Sequence, residues 1–129
     1  MRRRQRGFSL VEVLAALLIV TFVITVSMAA FVERNRRLQQ ATEITLAYQA
    51  LANEAEYRRR QVYIGLRNDV AFRSDTTLLR PLRPFGTAVR VDDVKPGVKK
   101  VTMILRWRNG QRHAQLTLVR VDTGGTNLW

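Results

Sequence analysis

The sequence predicts an α+β chain in which a long N-terminal helix packs on a small antiparallel β-sheet. Three observations predict it. Residues 8–32 form an apolar run of 25 residues with one charge, Glu12. No proline or glycine interrupts the chain from Phe8 to Ile64. Residues 98–121 alternate in polarity on either side of Asn109-Gly110, a strong hairpin turn signal.

The apolar run predicts a membrane span. A helix of that length extends roughly 37 Å, against about 30 Å of hydrocarbon. Arg2, Arg3, Arg4 and Arg6 precede it and favour a cytoplasmic N-terminus, with the chain after Val32 on the other side. Glu12 is costly in that setting unless it is neutralised or paired. Cleavage after Gly7 creates a suitable cation, the α-amine of Phe8, with a pKa of roughly 8. Glu12 lies four residues further on, one helical turn away on about the same face. The pairing is open to one chain or to two neighbouring chains.

Gly7-Phe8-Ser9-Leu10-Val11-Glu12, with its basic leader and apolar helix, resembles the class III signal of type IV pilins and type II secretion pseudopilins. The resemblance covers residues 1 to about 35. It implies that a membrane prepilin peptidase cuts between Gly7 and Phe8 and N-methylates Phe8. It implies that Glu12 is the assembly carboxylate, pairing with the N-terminal amine of an adjacent subunit. The fold it implies is pilin-like. The partners are other pilins or pseudopilins, the peptidase/methyltransferase, and membrane lipid before assembly. The location is a bacterial inner membrane, single-pass, with a periplasmic or extracellular head that is later drawn into a filament. Residues 1–7 are then a leader, 8–32 the span, 33–64 the extramembrane half of the helix and 65–129 the head. The 10–18 segment resembles I-type minor pseudopilins and the corresponding minor pilins about equally.

Two rivals use the same residues. Ser27-Met28-Ala29 fits a secretory cleavage site that releases a soluble basic domain, although the apolar stretch before it exceeds the usual 7–15 residues or so. A plain anchor with Glu12 snorkelling to the interface leaves the glycine–aromatic–glutamate spacing as coincidence.

The remainder of the chain is read in order. Residues 33–37 form a charged collar. From 38 to 62 the apolar or small residues Leu38, Ala41, Ile44, Tyr48, Leu51, Ala55 and Val62 suggest a stripe facing the head. The helix is expected to run about 55 residues, with Arg58, Arg59 and Arg60 favouring its C-terminal dipole and Gly65 as its stop. Residues 66–86 read as an irregular connection. Ala88–Val94 is a short candidate strand. Val98–Trp107 and Arg112–Val121 form the hairpin, with Arg108 opposite Gln111, and Leu105, Met103 and Val101 opposite Ala114, Leu116 and Leu118. Trp107 then faces Arg112 as a candidate cation–π pair. Trp129 either folds back or offers a contact.

The chain carries a formal charge of +12, or +8 without residues 1–7. Such charge suits an anionic partner without choosing one. Arg67, Arg73, Arg80, Arg83 and Arg90 form a candidate basic surface, which keeps nucleic acid open as a partner and a DNA-binding minor pilin as the alternative function. Stacking aromatics for that role are scarce: Phe72, Phe85 and Trp107. There is no cysteine, and His113 is expected to face solvent. Asp92-Asp93 reads as a solvated turn rather than a calcium site. The sequence therefore points to no catalytic residues, metal or cofactor, and to a filament protein rather than an enzyme.

Overall fold

A computed structural model describes residues 7–124. The leader arginines Arg2, Arg3, Arg4 and Arg6 and the terminal Trp129, named in the sequence expectations, lie outside the described residues. The chain has the predicted α+β pilin-like layout: helix α1, Leu10–Arg60, then a three-stranded antiparallel sheet of β1, Phe85–Lys95, β2, Val98–Trp107, and β3, Arg112–Val121, in the order β1-β2-β3. It divides into two units between Gln40 and Ala41.

In the first unit α1 is long and apolar enough to cross a membrane. Its apolar side chains from Leu10 to Val32 are exposed. The hydroxyls of Thr21 and Thr25 donate back to the carbonyls of Leu17 and Thr21, both at 2.8 Å, so neither presents an unpaired polar group. Glu33 and Arg37 pair at 3.0 Å on an exposed face.

In the second unit the helix and the sheet share one core. Ala47, Ala50, Leu51 and Ala55 cluster with Val89 of β1, Val101, Met103, Leu105 and Trp107 of β2 and Ala114 of β3. Leu66, Phe72, Leu79 and Leu82 of the connection close the same cluster. Leu51 and Ala55 belong to the expected stripe, but Leu38, Ile44, Tyr48 and Val62 are exposed. The buried face is Ala47, Ala50, Leu51, Glu54, Ala55 and Arg58, which recur at steps of three and four. The sheet and the connection supply the bulk, so the helix face that meets them is small-sided and partly polar.

The helix ends at Arg60, short of Gly65, where a 3-10 turn, Tyr63–Gly65, has already begun. Arg120 of β3 explains the stop. Its guanidinium donates to the carbonyl oxygens of Arg59 at 2.6 Å and Gln61 at 3.0 Å, satisfying acceptors a helix end leaves free.

The hairpin register is the expected one: Leu105↔Ala114, Met103↔Leu116, Val101↔Leu118. The turn is longer than two residues. Pairing stops at Trp107↔Arg112, and Arg108, Asn109 and Gly110 all take positive φ, at 52°, 55° and 82°. Left-handed backbone at an arginine costs about 1 kcal/mol, and its side chain makes an ion pair with Glu43. Trp107 is buried, and its indole N–H donates to Glu43 at 3.1 Å. No cation–π contact joins it to Arg112 among the described residues; those present pair Arg58 with Tyr57 and Lys99 with Tyr63. β1 is longer than the expected Ala88–Val94, with a bulge between Asp93 and Lys95. The 66–86 connection holds a second 3-10 helix, Thr77–Leu82, and His113 is exposed.

Two substitutions separate the expected stripe from the observed face. Leu51→Ala, at a fully buried site, is expected to cost about 3 kcal/mol. Ile44→Ala, at a site 43% exposed, is expected to stay within about 0.5 kcal/mol. Denaturant unfolding of the full chain in detergent measures both, and equal losses would contradict this packing.

Candidate functional site

The first helical turn is built by Ser9 and Glu12. Ser9 precedes α1 and its Oγ accepts the Glu12 N–H at 3.2 Å. Glu12 Oε2 accepts the Ser9 N–H in return, at 3.4 Å. The Ser9 carbonyl takes the N–H groups of Glu12 and Val13 at 3.0 and 3.2 Å. This is a reciprocal capping box, which satisfies donors that a helix start leaves open. Its signal stands in the sequence as a serine followed three residues later by a glutamate, ahead of an apolar run. Sequence reasoning that looked only for a cation beside Glu12 passes over it.

Glu12 is exposed in the isolated chain, and its Oε1 has no partner among the described residues. Phe8 is 83% exposed. A side chain added at Gly7 would meet nothing within 4 Å, and its backbone is not left-handed. Nothing within the described fold therefore demands glycine at that position.

Residues 2–28 match a family model. It is the prokaryotic N-terminal methylation motif. The N-terminus thus carries a prepilin-type motif, whose span contains Gly7, Phe8, Ser9 and Glu12 together. No curated protein and no solved structure matches the chain.

The five candidate surface arginines are all exposed, but they are not equivalent. Arg67 and Arg73 line one cleft of about 360 Å³, together with Arg58, Gln61 and Asp69. Arg90 lines a separate groove of about 530 Å³ with Arg106, and Asn68 borders both. Arg80 and Arg83 lie in and just after the second 3-10 helix. Arg73 is already paired with Asp69 at 2.8 Å.

Beneath the first cleft lies a polar cluster that hydropathy reading does not find. Glu54 is fully buried. Its Oε1 accepts from Arg58 Nε at 2.6 Å, and its Oε2 accepts the backbone N–H groups of Arg73 and Ser74 at 2.9 and 2.8 Å. Arg58, 3% exposed, also pairs with Asp69 at 3.3 Å, so it serves this cluster while Arg59 and Arg60 pair with Glu56 on the surface. Hydrogen bonds from Arg73, then from the Ala71 N–H and Arg58, hold the Asp69 carboxyl well below the usual carboxylate range, against the opposing effect of burial. At Glu43 burial pushes the carboxyl up, but hydrogen bonds from Arg108 and Trp107, and the charge of Arg112, bring it below its ordinary value.

Glu54→Gln is expected to destabilise the chain by about 3–5 kcal/mol, because it leaves Arg58 charged and buried without its main partner. Glu33→Gln, at an exposed pair, is expected to change stability by less than about 1 kcal/mol. Asp69 adds a pH dependence. Its folded pKa is depressed, so its contribution is complete above its unfolded value, near 4, and is lost as pH falls toward the folded value. The stability gap between wild type and Asp69→Asn should be constant above about pH 5 and narrow progressively below about pH 4. Chemical unfolding across that range checks the sign.

Proposed function

We propose that the chain is a minor subunit of a pilin-like filament, either a type II secretion pseudopilus or a type IV pilus. The observation that carries this reading is the methylation motif over residues 2–28, set at the start of a helix long and apolar enough to cross a membrane. In this reading the chain is inserted in the inner membrane with its N-terminus cytoplasmic, where prepilin peptidase cuts after Gly7 and methylates the Phe8 amine. The head, from about residue 65 onward, stands on the far side. The absence of cysteine from the sequence suits a minor subunit better than the main building block.

The assembly step rests on Glu12. An unpaired carboxylate in the core of a bilayer costs about 2.5–3.5 kcal/mol on insertion scales. Ser9 occupies one carboxylate oxygen of Glu12, and the other remains available to the Phe8 ammonium of a neighbouring subunit. Formation of that pair removes the cost and draws neighbouring helices into register. The apolar side chains left exposed between Leu10 and Val32 then pack against other subunits instead of lipid.

Intact mass and N-terminal sequencing of the protein recovered from membranes test this reading. The expected chain begins at Phe8 and is heavier by one methyl group. Gly7→Val is expected to keep the leader, and Glu12→Val to be cut and methylated normally yet fail to enter filaments. A chain beginning at Ala30 would instead establish a secreted domain and end the filament reading.

A further inference from the structure

The two edges of the sheet are treated differently. Along β1, residues 68–72 act as a fragment of another strand. Asp69 and Val89 exchange backbone hydrogen bonds of 2.9 and 2.8 Å, Asn68 Oδ1 accepts the Val91 N–H at 2.6 Å, and Thr87 Oγ1 accepts the Phe72 N–H at 3.3 Å. β1 also carries the bulge. Along β3 no strand or bridge covers the outer edge among the described residues. β3 keeps an unbroken register over ten residues and contains no proline.

The outward groups follow from the ladder. The Asp122 N–H donates to the Gly97 carbonyl at 2.7 Å. Alternation from that bond turns the backbone N–H and C=O of His113, Gln115, Thr117, Val119 and Val121 away from β2. None of these five is lysine, arginine or proline, and the protective charges on β3 are confined to Arg112 and Arg120 near its ends. Such an edge is a template for another strand.

The side chains around this edge are incompletely covered. Leu116 and Leu118 are only partly buried against the core, and Val119 and Val121 are 60% and 59% exposed. Arg120 brings a positive charge that, among the described residues, is bonded to two carbonyl oxygens and to no carboxylate.

We propose that the outer edge of β3 receives an extended segment of another protein chain, a strand with apolar residues at alternate positions and a carboxylate that compensates Arg120. A second copy fits poorly. Self-pairing sets together two strands that each carry Arg112 and Arg120 and no acidic residue, on chains of formal charge +12. The proposal does not require the filament reading; if that reading holds, a neighbouring subunit of different sequence is the natural donor.

The test uses the full chain in detergent and a synthetic ten-residue peptide of alternating valine and threonine with one central glutamate. Amide hydrogen exchange is followed residue by residue. The five outward amides should exchange quickly in the chain alone and at least about tenfold more slowly with peptide. Thr117→Pro removes an outward N–H while leaving the backbone ladder to β2, at the cost of the Thr102–Thr117 hydroxyl contact, and should abolish the protection. Val119→Lys, which leaves the backbone intact, should weaken it, with an unchanged circular dichroism spectrum as the control for folding. Undiminished peptide binding to both variants would overturn the proposal, as would no protection at the highest soluble peptide concentration. Protection of these amides in the chain alone, by a second copy or by the chain's own last residues, would overturn it too. Equal binding of a peptide with lysine in place of glutamate would remove the carboxylate from the proposal.

Discussion

A buried carboxylate organises the head. Glu54 has no exposed surface, and a charge in that position is tolerated only if it is paired and hydrogen-bonded. It receives three donors: one from Arg58 on its own helix, and two backbone N–H groups from residues 19 and 20 positions further along the chain. The second pair decides where the long connection lies. Once Arg73 and Ser74 are docked on the helix, Phe72 enters the core, Asp69 reaches both Arg58 and Arg73, and residues 68–72 fall against β1. A connection of this length with little regular structure would otherwise carry many backbone groups without fixed partners.

Two further polar links join helix and sheet on either side of the apolar cluster. Glu43 accepts from Trp107 and Arg108 at the hairpin end, and Arg120 caps the carbonyls at the end of α1. Between them the helix offers buried alanines at 47, 50 and 55 and one fully buried large apolar side chain, Leu51, with Leu46 partly buried beside it. Small residues on the helix face accommodate the larger side chains of β2, Met103, Leu105 and Trp107, within the same core. Directional polar contacts thus set the position of the sheet, while the apolar contacts supply most of the burial.

The N-terminal segment follows a different logic. It has no internal core to satisfy, and its side chains are exposed from Phe8 to Val32. What it must satisfy is its backbone, through the helix itself, and the polar groups at its start, through the Ser9–Glu12 capping box. The same carboxylate that closes the first turn is the group assigned to assembly in the proposed function. One of its oxygens accepts the Ser9 N–H.

The features legible in the sequence were those with a local cause. The apolar run, the absence of helix breakers and the hairpin register depend on neighbours a few residues apart, so spacing alone predicts them, and Leu105, Met103 and Val101 meet their expected partners. The motif around Gly7 and Glu12 was legible for the same reason; the capping box also has a local signal, Ser9 followed three residues later by Glu12, but attention to the Phe8 amine passed over it. The buried face of α1 was not legible, because Glu54 and Arg58 read as surface residues until Arg73, Ser74 and Asp69 are brought to them. The helix end was misplaced because its cap, Arg120, lies about 60 residues away in sequence. Local pattern determined which elements form. Tertiary structure decided which faces are buried and where α1 stops, because burying a charge or ending a helix depends on donors and acceptors supplied by distant parts of the chain.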